Sequence, residues 1–215
     1  MSELRYLLYS PPAADGGDRP LIVFLHGSGE RGHDPGQVRR YGLPRYLEAG
    51  LEIPAYVVAP QCPPECRWGD LIEPLEGMVE DLRRELPVPA RGLLLTGFSM
   101  GGFGAWEWAI RDPSRFAALV PVAGSGFAHE EFVLPGDPCA LRELPVWIIH
   151  GAADRHVPVR GADECAEALA ACNGNHRYTR FPDADHGETC SRAYSDPRLY
   201  EWMIQRALDA GRAPG

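Results

Sequence analysis

The sequence predicts an α/β fold in which a mostly parallel central sheet carries helices on both faces. Three observations lead there. Short apolar runs alternate with longer helix-like segments, chemistry-bearing residues recur just beyond the ends of those runs, and a serine flanked by glycines sits where one run passes into a helix. A chain of 215 residues with 45% hydrophobic and 24% charged content suits one domain over 1–215 with a sizeable core.

Taken in order, Leu4–Ser10 alternates as an opening strand, and Leu21–Leu25 is a first central one, apolar throughout. Val38–Ala49 reads as a helix, Ala55–Ala59 as a strand and Leu71–Leu86 as a helix. Leu93–Thr96 is a strand apolar on both faces. It leads through GFSMGG into a helix over Met100–Arg111, where Phe103, Trp106, Ala109 and Ile110 have helical spacing. Strands over Ala117–Val120, Val146–Ile149 and His176–Phe181 and helices over Arg160–Ala171 and Leu199–Ala210 complete the pattern. Ala123–Leu144, rich in Gly, Pro and Glu, is expected to form a flap over one end of the sheet, with no large lid.

Formal net charge is −9, and all 21 basic residues are arginine. An acidic surface argues against nucleic-acid and anionic-membrane partners, both of which need basic patches. The lack of lysine excludes a lysine Schiff base or a Ser–Lys dyad. The start, MSELRYLLYSPP, has neither the basic nor the apolar region of a signal peptide, and no apolar run approaches about 18 residues. A soluble cytoplasmic protein, monomer or homodimer, is therefore expected. Six cysteines are too sparse for a disulfide scaffold. CPPEC makes Cys62–Cys66 a candidate bridge, and Cys165 and Cys172 share a helix face, but idle thiols without metal are expected. No cofactor is expected.

In an open parallel sheet, ligands bind beyond the carboxyl ends of the strands. Those positions here read HGSGERG, PQCPPECRW, GFSMGG, HGAADRHVP and PDADHGE. In GFSMGG a strand, a tight turn and a helix surround Ser99, the arrangement of a nucleophile elbow, where small glycines clear space around a reacting hydroxyl. A serine nucleophile needs a base and an acid that orients it. His186, in the loop after the last strand, is the candidate base, with His156 as rival. His26 and His150, at strand ends, read as packed, hydrogen-bonded imidazoles, and His33, His129 and His176 as surface residues. Asp154, closing HGAAD, is the candidate acid; Asp183 and Asp185 are alternatives, one better suited to turn chemistry and the other adjacent to His186. Oxyanion donors are expected from the Met100 N–H and from the Ser28 N–H, freed by Gly27 and Gly29, with Glu30 and Arg31 bracing that loop as an ion pair or helix-start charges. Phe127 and Phe132 are candidate pocket aromatics.

These motifs resemble the α/β-hydrolase superfamily from about Pro20 to Gln205, and within it the small lidless bacterial esterases of the phospholipase/carboxylesterase and dienelactone-hydrolase type, including predicted peptidases and feruloyl-esterase-like enzymes. LHGSGERG, PQCP with downstream Trp68, GFSMGGFGAW, and HGAADRHVP ahead of PDADHGE carry the resemblance. It implies a Ser99, Asp154, His186 triad, Ser28 and Met100 as oxyanion donors, and a substrate floor involving Trp68. Serine stands where the dienelactone-hydrolase group has cysteine, which points to esters. HGETC, with Cys190, departs from relatives with an aromatic after the histidine. The expected activity is metal-independent hydrolysis of small acyl or aryl esters through an acyl-enzyme. Alternatives are a serine oligopeptidase, a thioesterase, or a non-catalytic binding protein on the same fold.

Overall fold

A computed structural model describes residues 4–12, 17–127 and 136–212. His129 and Phe132, with the centre of the expected flap, lie outside the described residues. Seven strands form one sheet: β1 (Tyr6–Tyr9), β2 (Leu21–Leu25), β3 (Tyr56–Pro60), β4 (Leu93–Phe98), β5 (Ala118–Val122), β6 (Val146–Gly151) and β7 (His176–Phe181). Their order is β1-β3-β2-β4-β5-β6-β7, with β1 antiparallel to β3 and every other pair parallel.

The strands are apolar on consecutive residues because both faces are covered. Leu21, Val23 and Leu25 join one core with Leu93 and Leu95, against α2 (Ile72–Glu85), α3 (Met100–Arg111) and α4 (Arg160–Ala171). Ile22, Phe24 and Leu94 enter the other, against α1 (Gly42–Glu48), α5 (His186–Tyr194) and α6 (Pro197–Arg212). Alternate residues of a strand thus feed opposite layers, as the pleat requires.

The chain leaves β2 toward β3 on one side and returns to β4 on the other. The strand order therefore reverses between β2 and β4, the kind of point at whose carboxyl ends open α/β sheets bind ligands. The loop beginning at His26 and the turn at Ser99 face each other across that point.

Three local expectations need correction. Val38–Ala49 is not one helix: a 3-10 stretch over Pro35–Arg40 gives way to α1 at Gly42, where φ is +64° and a Cβ would strike the Phe24 ring. His186 does not lie in a loop but opens α5. The cysteines are not all thiols, since Cys139 and Cys172 form a disulfide with Cα atoms 6.0 Å apart, while Cys62, Cys66, Cys165 and Cys190 are free. Both Cys139 and Cys172 border α4, so tertiary placement, not sequence spacing, makes the pair. Among the described residues no helix is long and apolar enough to cross a membrane.

Candidate active site

Ser99 sits between β4 and α3 with φ 56° and ψ −119°, a conformation ordinarily left to glycine. The surroundings over-determine it. Its N–H donates to the Val122 carbonyl at 2.9 Å, and its carbonyl accepts from the Phe103 N–H at 3.0 Å. A Cβ at Gly97 would collide with the Gly101 backbone, and one at Gly101 with the Leu25 backbone. The two glycines let the turn close tightly and the start of α3 press onto the end of β2.

Across from it, His186 Nε2 lies 2.9 Å from Ser99 Oγ, and His186 Nδ1 lies 2.6 Å from Asp154 Oδ2. With the Nδ1 proton donated to the carboxylate, Nε2 is left to accept from the hydroxyl. Asp154 Oδ1 accepts from the His156 and Val157 N–H groups, both at 2.9 Å. His150, fully buried, brings Nε2 to 3.4 Å from Asp154 Oδ2 and 3.0 Å from the Val157 carbonyl. Burial alone would push the Asp154 carboxyl up. Hydrogen bonds from His150, His186 and Val157 outweigh that and hold it below the usual aspartate range.

His186 is presented by the first turn of α5. Asp185 caps this helix, accepting from the Glu188 N–H at 2.8 Å, while Glu188 accepts from the Asp185 N–H at 3.0 Å. At its far end the buried Tyr194 hydroxyl meets Thr96 Oγ1 of β4 at 2.9 Å. The Phe98 ring lies 4.6 Å from the His186 ring, closing its other side.

The other candidates fall elsewhere. Asp185 is the helix cap, and Asp183 forms a two-point pair with Arg192 on the surface. The His156 ring is 5.4 Å from that of His186, exposed at the rim. Met100 is the first residue of α3 and Ser28 the first of a 3-10 turn over Ser28–Glu30, so neither N–H has an intrahelical acceptor. Glu30 and Arg31 brace the loop separately rather than as an ion pair: Glu30 is buried and accepts from the Gly27 N–H, while Arg31 donates to the Ser28 and Pro64 carbonyls. Trp68, expected at a substrate floor, lies beneath the surface. It is 1% exposed, packed against Gly104 of α3. Phe127 is half-buried against the core at the edge of the described residues.

His150 beside Asp154, its Nε2 3.0 Å from the Val157 carbonyl and 3.4 Å from Asp154 Oδ2, is the neighbour that sequence reasoning took only as a packed imidazole, although the HG pair ending β6 is its visible signal. Among the described residues no cluster of three His, Cys, Asp or Glu is arranged to hold a metal ion. Burial also pushes the Cys62 and Cys190 thiols up to about 12 and Cys165 to about 11, leaving them protonated and poorly nucleophilic.

A serine, a histidine and an aspartate in hydrogen-bonded sequence at a sheet's switch point invite comparison with known hydrolases. The model of the family described as Phospholipase/Carboxylesterase matches residues 64–196, more than half of the chain. The chain belongs to that family. A Salmonella typhimurium protein provisionally named carboxymethylenebutenolidase is 26% identical over 128 residues, covering 54% of this chain and 47% of the other. The chain thus spans about half the length of the curated relatives it matches. The crystal structure of a thermostable esterase superposes with a TM-score of 0.74 at 27% identity, covering 94% of this chain and 59% of that one. A phospholipase/carboxylesterase from Dyadobacter fermentans shares the fold, with a TM-score of 0.62 at 19% identity over 89% and 95% of the two chains. These phospholipase/carboxylesterase likenesses agree with the α/β-hydrolase architecture described above.

Proposed function

We propose that the protein is a serine carboxylic ester hydrolase acting through an acyl-enzyme on small acyl or aryl esters. The observation that carries this reading is the unbroken chain from Ser99 Oγ to His186 Nε2 at 2.9 Å and from His186 Nδ1 to Asp154 at 2.6 Å. As Ser99 Oγ attacks the ester carbonyl, its proton passes to His186 Nε2, and Asp154 stabilises the resulting imidazolium. The carbonyl oxygen becomes an oxyanion that the Met100 and Ser28 N–H groups receive. Collapse breaks the bond to the alcohol, which leaves with the proton from His186. Water, activated by the same imidazole, then attacks the acyl-enzyme, releases the carboxylic acid and restores Ser99. No step calls on a metal or cofactor.

The experiment is a substrate panel of p-nitrophenyl esters, an aryl ester of ferulate and peptide anilides, assayed on the wild type and on Ser99→Ala. Ester turnover should fall by about 10⁵–10⁶-fold in the variant with folding intact. Turnover that survives the substitution, or peptide anilides cleaved orders of magnitude faster than every ester, would replace this reading.

A further inference from the structure

The Ser28 N–H shares a peptide plane with the Gly27 carbonyl, and in a planar trans peptide the two point in opposite directions. Whatever captures the carbonyl therefore aims the N–H. The Glu30 N–H reaches this carbonyl at 3.4 Å, and the shorter contact is made by His26. Its Nδ1 lies 2.7 Å from the Gly27 carbonyl oxygen, and its Nε2 lies 3.0 Å from the Cys62 backbone nitrogen. A backbone N–H can only donate, so Nε2 is the acceptor and the ring proton sits on Nδ1, donated to Gly27. Both ring nitrogens are thus committed, on a residue 1% exposed. Burial pushes His26 down to about 4, which keeps the neutral ring that this arrangement requires.

Trp68 completes the brace. Its Nε1–H donates to the His26 carbonyl at 2.9 Å, and its indole meets the imidazole edge-on with centroids 4.9 Å apart. The same indole packs against Gly104 of α3, the helix that begins at the nucleophile. The loop that supplies one oxyanion donor is therefore keyed to the helix that supplies the other.

We infer that His26 is a positioning residue for the hydrolytic reaction, holding the Gly27–Ser28 peptide so that the Ser28 N–H faces the oxyanion. This rests on the serine-hydrolase reading above. A merely space-filling histidine would be indifferent to which ring nitrogen is kept. A positioning one depends on Nδ1. Asparagine reproduces the Nδ1 donor and loses the Nε2 acceptor; glutamine does the reverse.

The test measures kcat and KM of wild type, His26→Asn and His26→Gln on a p-nitrophenyl ester and on its thiono counterpart, in which sulfur replaces the carbonyl oxygen and accepts hydrogen bonds poorly. His26→Gln should lose about 10²-fold in kcat on the oxygen ester, the scale of one lost oxyanion donor, with KM little changed. Its preference for oxygen over sulfur should shrink in parallel, and His26→Asn should stay near wild type in both. Equal losses in the two variants, or a loss that leaves the oxygen-to-sulfur ratio at the wild-type value, would overturn the assignment. Should His26→Gln fail to fold, Trp68→Phe decides: a reduced ratio supports the brace, and an unchanged one overturns it. A wild type no more active than Ser99→Ala would instead remove the serine-hydrolase reading itself.

Discussion

At Asp154 burial and hydrogen bonding pull in opposite directions, and the outcome sets how the site responds to acid. The carboxyl is held below its ordinary range. Its contribution to stability is therefore complete above the unfolded aspartate value of about 3.9 and is lost as pH falls toward the depressed folded value. Urea unfolding of wild type and Asp154→Asn across the acid range should show a steeper decline in the wild type; parallel slopes would contradict the hydrogen-bond assignment. Asp154→Asn should also lower kcat by about 10⁴-fold, since an amide favours the wrong imidazole tautomer. Asp183→Asn, which breaks only a surface pair with Arg192, should leave steady-state turnover near wild type. Similar losses in both would contradict the assignment of Asp154 as the acid that orients His186.

The site's precision is built by elements, above all α5, whose first residue is His186. Removing its cap in Asp185→Ala should cost about 1 kcal/mol in chemical denaturation. It should also reduce kcat several-fold through a loosened His186, and an unchanged kcat would show that α5 is held by Tyr194 and Thr96 alone. The sequence made α3 and β4 readable because apolar residues fill the strand and helical spacing starts immediately after Ser99. It hid α5 because PDADHG looks like turn chemistry, although Asp185 and Glu188 already have capping-box spacing. The helix break at Gly42 depends on the Phe24 ring from a distant strand, and no local pattern carries that. Trp68 was readable as important but not as buried, because the partner of its indole N–H is a backbone carbonyl 42 residues away.

For the whole molecule, the reversal of strand order between β2 and β4 brings HGSG and GFSMGG together, and the ends of β6 and β7 supply Asp154 and His186 from one side. Away from these contacts, the Cys139–Cys172 bridge closes a loop with a sequence separation of 33. Replacing both with serine should lower the unfolding free energy by about 2–4 kcal/mol, by relaxing a constraint on the unfolded chain. Initial ester rates should persist, as a thermal or urea melt alongside the assay would show; a rate collapse at full folding would tie the bridge to the site. The account as a whole stands on Ser99 being an activated nucleophile, and covalent capture tests that most directly. Intact mass after treatment with a fluorophosphonate should show one adduct, mapped by peptide sequencing to Ser99, absent in Ser99→Ala and much slower to form in His186→Ala. An unlabelled wild type, or an adduct that persists in Ser99→Ala, would contradict it.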